Sequence, residues 1–248
     1  MSPLSKCLRS SWRVHVCFSR RHSSLITYLM ENMDKRSAWD RFYTESSSTT
    51  SSFKNFEWFF GFDSVRDFLM PLLRSSSHPD SPVQVLDMGC GTSALGPSIY
   101  RHSPVSVQVT CADISPVAVQ LMQEKTRLEA VRPSNHSSRL QFVELDCTQL
   151  DRRYSPNSLD LIVDKGTTDA LLRSKEGKGK AVLVLQQCFR ALQGSGSLLQ
   201  FSDEDPDARL LWLESAAPHH DVGVQEVGQL RGVCYFCYQV TPRPLAKC

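Results

Sequence analysis

The first thirty residues contain no aspartate and no glutamate; Glu31 is the first carboxylate of the chain. The same stretch holds Lys6, Arg9, Arg13, Arg20 and Arg21. It also lacks the unbroken apolar centre of about 7–15 residues that a secretory signal needs. Leu4, Leu8, Trp12 and Val16 recur at every fourth position, which places apolar groups on one helical stripe among basic residues. An acid-free, Arg- and Ser-rich amphipathic leader has the composition of a mitochondrial transit peptide, although a disordered basic tail would share the lack of acids. On these grounds residues 1–30 are set apart as a leader.

Long hydrophobic runs are missing as well. No stretch approaches the roughly 20 apolar residues of a transmembrane helix. Nor is there a strong charge of one sign: the net charge is +2, and without the five bases of the leader the 28 Lys and Arg fall below the 26 Asp and Glu. A faintly acidic body argues against a broad nucleic-acid-binding surface. The nine cysteines show no regular spacing, and an odd, scattered count argues against a disulfide scaffold and for a reducing compartment. Cys234 and Cys237 form a C-x-x-C, but "GVCYFCYQV" reads as a strand. Residues three apart on a strand face opposite sides, so one metal ion would not readily take both.

What is present is an alternation. Strand-like apolar runs at 83–87, 107–112, 140–145, 159–164 and 197–201 are separated by helical patterns at 93–101, 116–130, 180–192 and 207–215. Alternation of this kind predicts a mostly parallel sheet with helices on both faces, an α/β fold. The end differs: "DVGVQEVGQLRGVCYFCYQV" holds two strand runs joined by a short turn, which predicts a hairpin and an antiparallel strand. Ahead of the sheet, residues 31–82 form an aromatic helical segment. In it a Ser/Thr block at 44–52 is expected to loop out, and Phe68, Leu69, Leu72 and Leu73 fall at helical spacing. The domain proper is placed at 83–240, with 241–248 as a tail.

The stretch "VLDMGCGTSALG" (85–96) concentrates the chemistry. Residues 89–94, Gly-Cys-Gly-Thr-Ser-Ala, satisfy the G-x-G-x-x-A fingerprint of dinucleotide sites, in which a diphosphate sits on a helix N-terminus. Asp87, two residues before Gly89, points another way. A carboxylate there repels a diphosphate and attracts an amine or sulfonium. Two more acids end strand-like runs on the same edge: Asp113 in "VQVTCAD", suited to ribose hydroxyls, and Asp146 in "FVELDCTQL", suited to an adenine amino group. Strand ends are often polar simply because they meet water, but three on one edge beside the glycines favour a cationic nucleoside, S-adenosylmethionine.

With "CADISPVAV", "LDCTQL" and "LIVDKGTTDALL", that stretch resembles the seven-strand S-adenosylmethionine-dependent methyltransferases, and "DKGTTDAL" is similar to their lysine-directed branch. "FEWFFGFDSV" ahead and "LLQFSDEDPDARLLWLE" behind extend the resemblance over about residues 38–240. It implies strand order 3-2-1-4-5-7-6 with an antiparallel last strand and S-adenosylmethionine on the carboxyl edge. Trp58, Asp87, Gly89, Cys90, Gly91, Asp113, Ile114, Asp146 and Cys147 would hold the cofactor. It further implies a protein-lysine substrate, citrate synthase, in the mitochondrial matrix, with no nucleic acid, membrane or metal involved. One departure is Ser93, where the usual turn has a third glycine.

Methyl transfer needs a neutral amine in line with the sulfonium methyl. A free lysine of pKa about 10.4 is neutral in only about one molecule in 2,500 at pH 7. Asp164, ending the fourth run, is the candidate to position that amine, with a helix cap as its alternative role. Lys165 is a candidate substrate-binding residue that would pair with Asp164. Of Trp58, Phe59 and Phe60, at least two should be core and Trp58 a wall of the slot. Asp203 and Glu204, in "SDEDPD", would form a negative rim steering the substrate lysine inward, and "RSKEGKGK" (173–180) should be a solvated loop. Methylation of RNA or a metabolite, a non-catalytic binding protein and a nicotinamide dehydrogenase remain the competing classes.

Overall fold

A computed structural model describes residues 20–48, 57–73 and 81–243. Seven strands form one sheet in the order β3-β2-β1-β4-β5-β7-β6. They are β1 Val83–Met88, β2 Val107–Asp113, β3 Arg139–Glu144, β4 Leu159–Lys165, β5 Leu192–Ser202, β6 His220–Leu230 and β7 Val233–Pro242. Pairings among β1 to β5 are parallel, and β7 runs antiparallel to both β5 and β6. The central strands are buried on both faces, which is why β1, β2 and β4 read as nearly continuous apolar runs. The terminal hairpin turns through Arg231 and Gly232, both with positive φ, as a tight two-residue connection requires.

Helices α1 Arg20–Glu31, α2 Arg36–Ser48, α3 Arg66–Leu73, α4 Leu95–His102, α5 Pro116–Leu128, α6 Thr167–Arg173, α7 Lys178–Ala191 and α8 Pro206–Ala216 complete the domain. Two of them start where sequence chemistry dictates. Ser115 caps α5 and Asp205 caps α8, each followed by a proline whose missing N–H costs nothing at that position. Helices α3 and α4 pack on one face of the sheet, through Leu69, Leu73, Leu95 and Ile99. Helices α7 and α8 pack on the other, through Val184, Leu185, Cys188 and Leu213.

A third cluster lies at the carboxyl ends of the strands. Leu25 and Leu29 of α1 and Phe42 and Tyr43 of α2 pack on Ala118 and Ala170, in the first turns of α5 and α6. The ordered body therefore begins before residue 30: α1 crosses the boundary drawn there and contributes two fully buried leucines. The Ser/Thr block is corrected in part, since α2 continues through Ser48; its remaining residues lie outside the described ones, as do 1–19, most of the leader. Likewise "RSKEGKGK" is not all loop. Helix α7 starts at Lys178, and the Lys180 ammonium donates to the Asp34 carboxylate at 3.1 Å and to the Asp34 carbonyl at 2.7 Å. The last strand also extends to Pro242, two residues into the segment set apart as a tail.

Candidate active site

A cleft open to solvent lies at the carboxyl ends of β1, β2 and β4, beneath α2 and the Met33–Asp34 turn ahead of it. At its floor is the turn after β1. Gly89 and Gly91 have φ of +62° and +52°, the left-handed region that glycine enters without strain. Space demands glycine too. A side chain on Gly89 would collide with the Thr167 hydroxyl, and one on Gly91 would lie 2.5 Å from the Tyr43 hydroxyl.

Two buried carboxylates hold this turn. Asp87 Oδ2 accepts the Gly96 N–H at 2.9 Å. Asp113 accepts the Gly91 N–H on Oδ2 and the Ser115 N–H on Oδ1, each at 2.8 Å. Burial pushes Asp87 up to about 7, with Lys165 and the Gly96 N–H pulling the other way. Burial likewise raises Asp113 to about 6 against the two N–H bonds it accepts. Both acids are thus held where their ionised forms are short of compensation, a condition that a bound cation relieves.

Asp146 lies two residues past the end of β3 and not on the strand itself. It caps the short 3-10 turn Cys147–Arg152, accepting the Thr148 N–H at 2.9 Å and the Thr148 hydroxyl at 2.7 Å. With Cys90, Ile114 and Cys147 it lines the cleft. Ser93 also lines it, and its hydroxyl accepts the Leu95 N–H at 3.1 Å, closing the entry to α4. All nine residues expected at the cofactor are therefore brought together around one cavity.

The three aromatics of "EWFF" face different surroundings. Trp58 lines the cleft, with its ring 6.3 Å from Trp39 and 5.9 Å from Phe42. Phe60 is buried edge-on to Phe201 at 5.5 Å, and Phe59 packs on Tyr235 at 5.1 Å.

Lys165 departs from expectation. Its partner is Glu57, not Asp164, and the same ammonium donates to the carbonyls of Trp58 at 2.8 Å and Phe60 at 3.2 Å. The other Glu57 oxygen accepts the Ala94 N–H at 3.1 Å. Three acceptors engage all three ammonium protons, so Lys165 straps segment 57–60 across the tips of β4 and α4 and sets the position of Trp58.

Asp164 is the second correction. Its carboxylate accepts from the Thr167 N–H at 2.8 Å, the Thr168 N–H at 3.3 Å, the Thr168 hydroxyl and the Gln200 amide at 3.0 Å. It is 1% exposed and is not part of the cleft wall. A carboxylate three residues before the first helical residue reaches over the N-cap Gly166 to the free N–H groups of that helix, so the side chain is engaged at the helix start and not in the cleft.

Asp203 and Glu204 are also outside the cleft wall. Asp203 takes the Arg173 guanidinium at 2.5 Å, and the Glu204 carbonyl accepts the Tyr238 hydroxyl at 2.9 Å.

Sequence reasoning missed Asp34, Trp39, Tyr43, Thr167 and Lys180 in the wall. Trp39, Phe42 and Tyr43 do fall at helical spacing, the one available signal that this segment has a buried face. The full wall carries the carboxylates of Asp34, Asp87, Asp113 and Asp146 against the ammoniums of Lys165 and Lys180, with Trp39, Tyr43 and Trp58 as aromatic surface. Both lysines already have carboxylate partners. A diphosphate would meet three acids without a paired lysine here, whereas a sulfonium nucleoside meets opposite charge and π faces. Among the described residues, no group of three or more His, Cys, Asp or Glu could hold a metal ion.

Strand order, glycine turn and acidic cleft define a Rossmann-like methyltransferase. A methyltransferase-domain family model matches residues 79–222. A solved S-adenosylmethionine-dependent methyltransferase from Aquifex aeolicus shares the fold, with TM-score 0.53 at 15% identity over 80% of this chain and 97% of its own. The mitochondrial citrate synthase-lysine N-methyltransferase of Danio rerio is 58% identical over 95% of this chain and 94% of its own length. The Homo sapiens protein of that name is 41% identical over 83% and 85%. The chain belongs to the methyltransferase family that includes these lysine N-methyltransferases, and its cofactor is S-adenosylmethionine.

Proposed function

We propose that this enzyme transfers a methyl group from S-adenosylmethionine to a lysine side chain of citrate synthase in the mitochondrial matrix. The observation that carries the reaction class is the cleft wall, with three acids lacking a lysine partner and three aromatic side chains at the carboxyl ends of β1, β2 and β4. The protein substrate and the compartment rest on the relatives' names, and the acid-free leader supports the compartment.

The cofactor supplies an electrophilic methyl on its sulfonium. This chain's residues bind, orient and exclude water. Asp113 holds the glycine turn and takes the ribose hydroxyls, and Asp146 with Cys147 takes the adenine. Asp87 faces the cationic end, and Trp58 closes the slot against water. The substrate amine must arrive neutral, its proton leaving to water as the ammonium is desolvated. Held by Asp164, the Gly166–Thr168 turn forms the rigid edge against which the amine is placed.

Incubation with tritiated S-adenosylmethionine and a matrix extract is expected to label one protein, with mass spectrometry placing the methyl on a citrate synthase lysine. Label on RNA, on a metabolite or on another protein, or no label at all, would overturn the proposal.

A pH dependence follows from Asp87. Cofactor binding needs its ionised form, and with a pKa of about 7 in the free enzyme that form rises from roughly a tenth to nine-tenths between pH 6 and pH 8. Affinity measured by calorimetry should therefore tighten about tenfold over this range, with proton release on binding below pH 7. Asp87→Asn should flatten the profile; a flat wild-type profile would remove the assignment.

A further inference from the structure

The terminal hairpin overshoots the rest of the sheet at the edge where the cofactor cleft opens. Strand β5 ends at Ser202, opposite Phe236 of β7, but β6 and β7 go on pairing through Gly228–Tyr235, Gln229–Cys234 and Leu230–Val233. These three further pairs carry the Arg231–Gly232 turn about 10 Å past the carboxyl end of β5. A bulge between Glu226 and Gly228 starts the overhang and re-aims it, as bulges beside active sites do. The tip is open: Leu230 is 41% exposed, and Gln229, Arg231 and Cys234 are exposed too. Its turn is also strained. Arg231 has φ of +53°, where the first position of such a turn favours asparagine, aspartate or glycine, and strain of this kind collects at sites that serve more than folding.

The base of the overhang is joined to the cleft. Tyr235 packs on Phe59 at 5.1 Å and on Phe60 at 5.4 Å. Phe59 is a second strained residue, with φ of +63°, and its ring lies against the Gly166 backbone, 3.1 Å from where a β-carbon would stand. Gly166 in turn lines the cleft. Half-buried Phe59 therefore continues the wall outwards from Gly166 to Tyr235, while its neighbour Trp58 faces inwards. Burial raises the Tyr235 phenol above its usual pKa, with Asp203 adding and Arg231 and Arg173 opposing, so all three charges lie near it. Asp203 is already taken by Arg173. The charge left over at this ledge is that of Arg231, and it is positive. We infer that the Phe59–Tyr235 ledge and the overhanging Arg231 turn receive the protein substrate: the aliphatic stem of the target lysine lies over the two rings, and Arg231 meets a carboxylate on the segment flanking it. A small metabolite held inside the cleft would make no use of a ridge beyond it. Preference for a protein is thus set by the hairpin and not by the cofactor site. The inference rests on the protein-lysine reading above.

Steady-state methylation of citrate synthase by the full chain and three variants tests this. Arg231→Glu should raise KM for citrate synthase roughly tenfold or more, because the turn then repels the carboxylate it should meet. Arg231→Gly should raise it up to about fivefold, the range for an exposed ion pair. Its thermal midpoint should stay level or rise, since glycine takes the positive φ freely. Tyr235→Leu should raise KM about two- to fivefold, as for a lysine that loses one aromatic face. In each variant kcat, and the affinity for S-adenosylhomocysteine by calorimetry, should stay within about twofold, the pattern of lost uniform binding. Cys234 gives a second readout: citrate synthase above its KM should slow alkylation of this exposed thiol by a maleimide. An unchanged KM in the Arg231 variants, or alkylation of Cys234 indifferent to citrate synthase, would overturn the inference. So would weakened S-adenosylhomocysteine binding, which would move the ledge into the cofactor site. A wild-type chain that binds S-adenosylhomocysteine and leaves citrate synthase unmethylated would instead overturn the substrate reading, and this inference with it.

Discussion

Replacing Asp113 by alanine is expected to weaken S-adenosylmethionine binding by at least a few hundredfold. The carboxylate makes two charge-assisted hydrogen bonds within the protein, to the N–H groups of Gly91 and Ser115, each contributing about 1.5–3 kcal/mol. Alanine removes both, and with them the acceptor that faces the ribose. Two N–H groups are left unsatisfied in a buried position, and the turn carrying Gly89 and Gly91 loses the bond that fixes its φ. Asp113→Asn keeps one oxygen for one of the two N–H groups and should lose less affinity. The variants should still fold, because burial lifts the Asp113 pKa to about 6. The folded state then holds a proton that the unfolded chain releases from about pH 4 upwards, so ionised Asp113 lowers stability as pH rises through about 6. Calorimetry for affinity and circular dichroism for folding separate the two effects. Unchanged affinity in Asp113→Ala would remove Asp113 from the cofactor site.

The parts of this site legible in the sequence are those whose partners are close in the chain or whose burial leaves an apolar run. Strands β1, β2 and β4 showed themselves because both their faces are covered, and Asp87 and Asp113 because they end such runs. Helix α6 was not legible. "GTTDALLR" is short and starts with two β-branched threonines, and its start is set by Asp164 reaching forward to Thr167 and Thr168, a contact that has no periodicity. Pairings at long range were equally hidden. Lys165 looked like a partner for its neighbour Asp164, but adjacent residues on a strand face opposite ways, and its ammonium reaches Glu57 from far earlier in the chain. The cap made by α1 and α2 was hidden for the same reason. Its aromatic spacing announces a buried face, but only the fold shows that this face covers the cofactor cleft.

The "DKGTTDALL" and "SDEDPDARL" segments prove to be one unit, and Arg209→Met is expected to show it. Arg209 is 1% exposed, and its Nη2 donates to Asp169 at 2.8 Å and to the Ser202 hydroxyl at 3.0 Å, tying α8 to α6 and the end of β5. The guanidinium lies over Trp212 at 5.5 Å and Tyr238 at 6.0 Å. Removing it leaves Asp169, 2% exposed, with the Ser202 hydroxyl and a longer contact to Arg173 at 3.9 Å. Breaking a buried pair in this way costs about 3–5 kcal/mol, which in a chain of this size lowers the melting temperature by roughly 10 °C. The pair itself is not bound to be strongly stabilising, because Arg209 Nε and Nη1 have no hydrogen-bond partner and two charges are desolvated. Combining Asp169→Asn with Arg209→Met should therefore recover part of the loss, a coupling that a double-mutant cycle measures. Because α6 also carries Thr167, against Gly89 in the cleft, a loosened α6 should reduce turnover more than nucleoside binding, which rests on Asp113 and Asp146. A single variant that melts with the wild type would show that the link between the two segments is incidental.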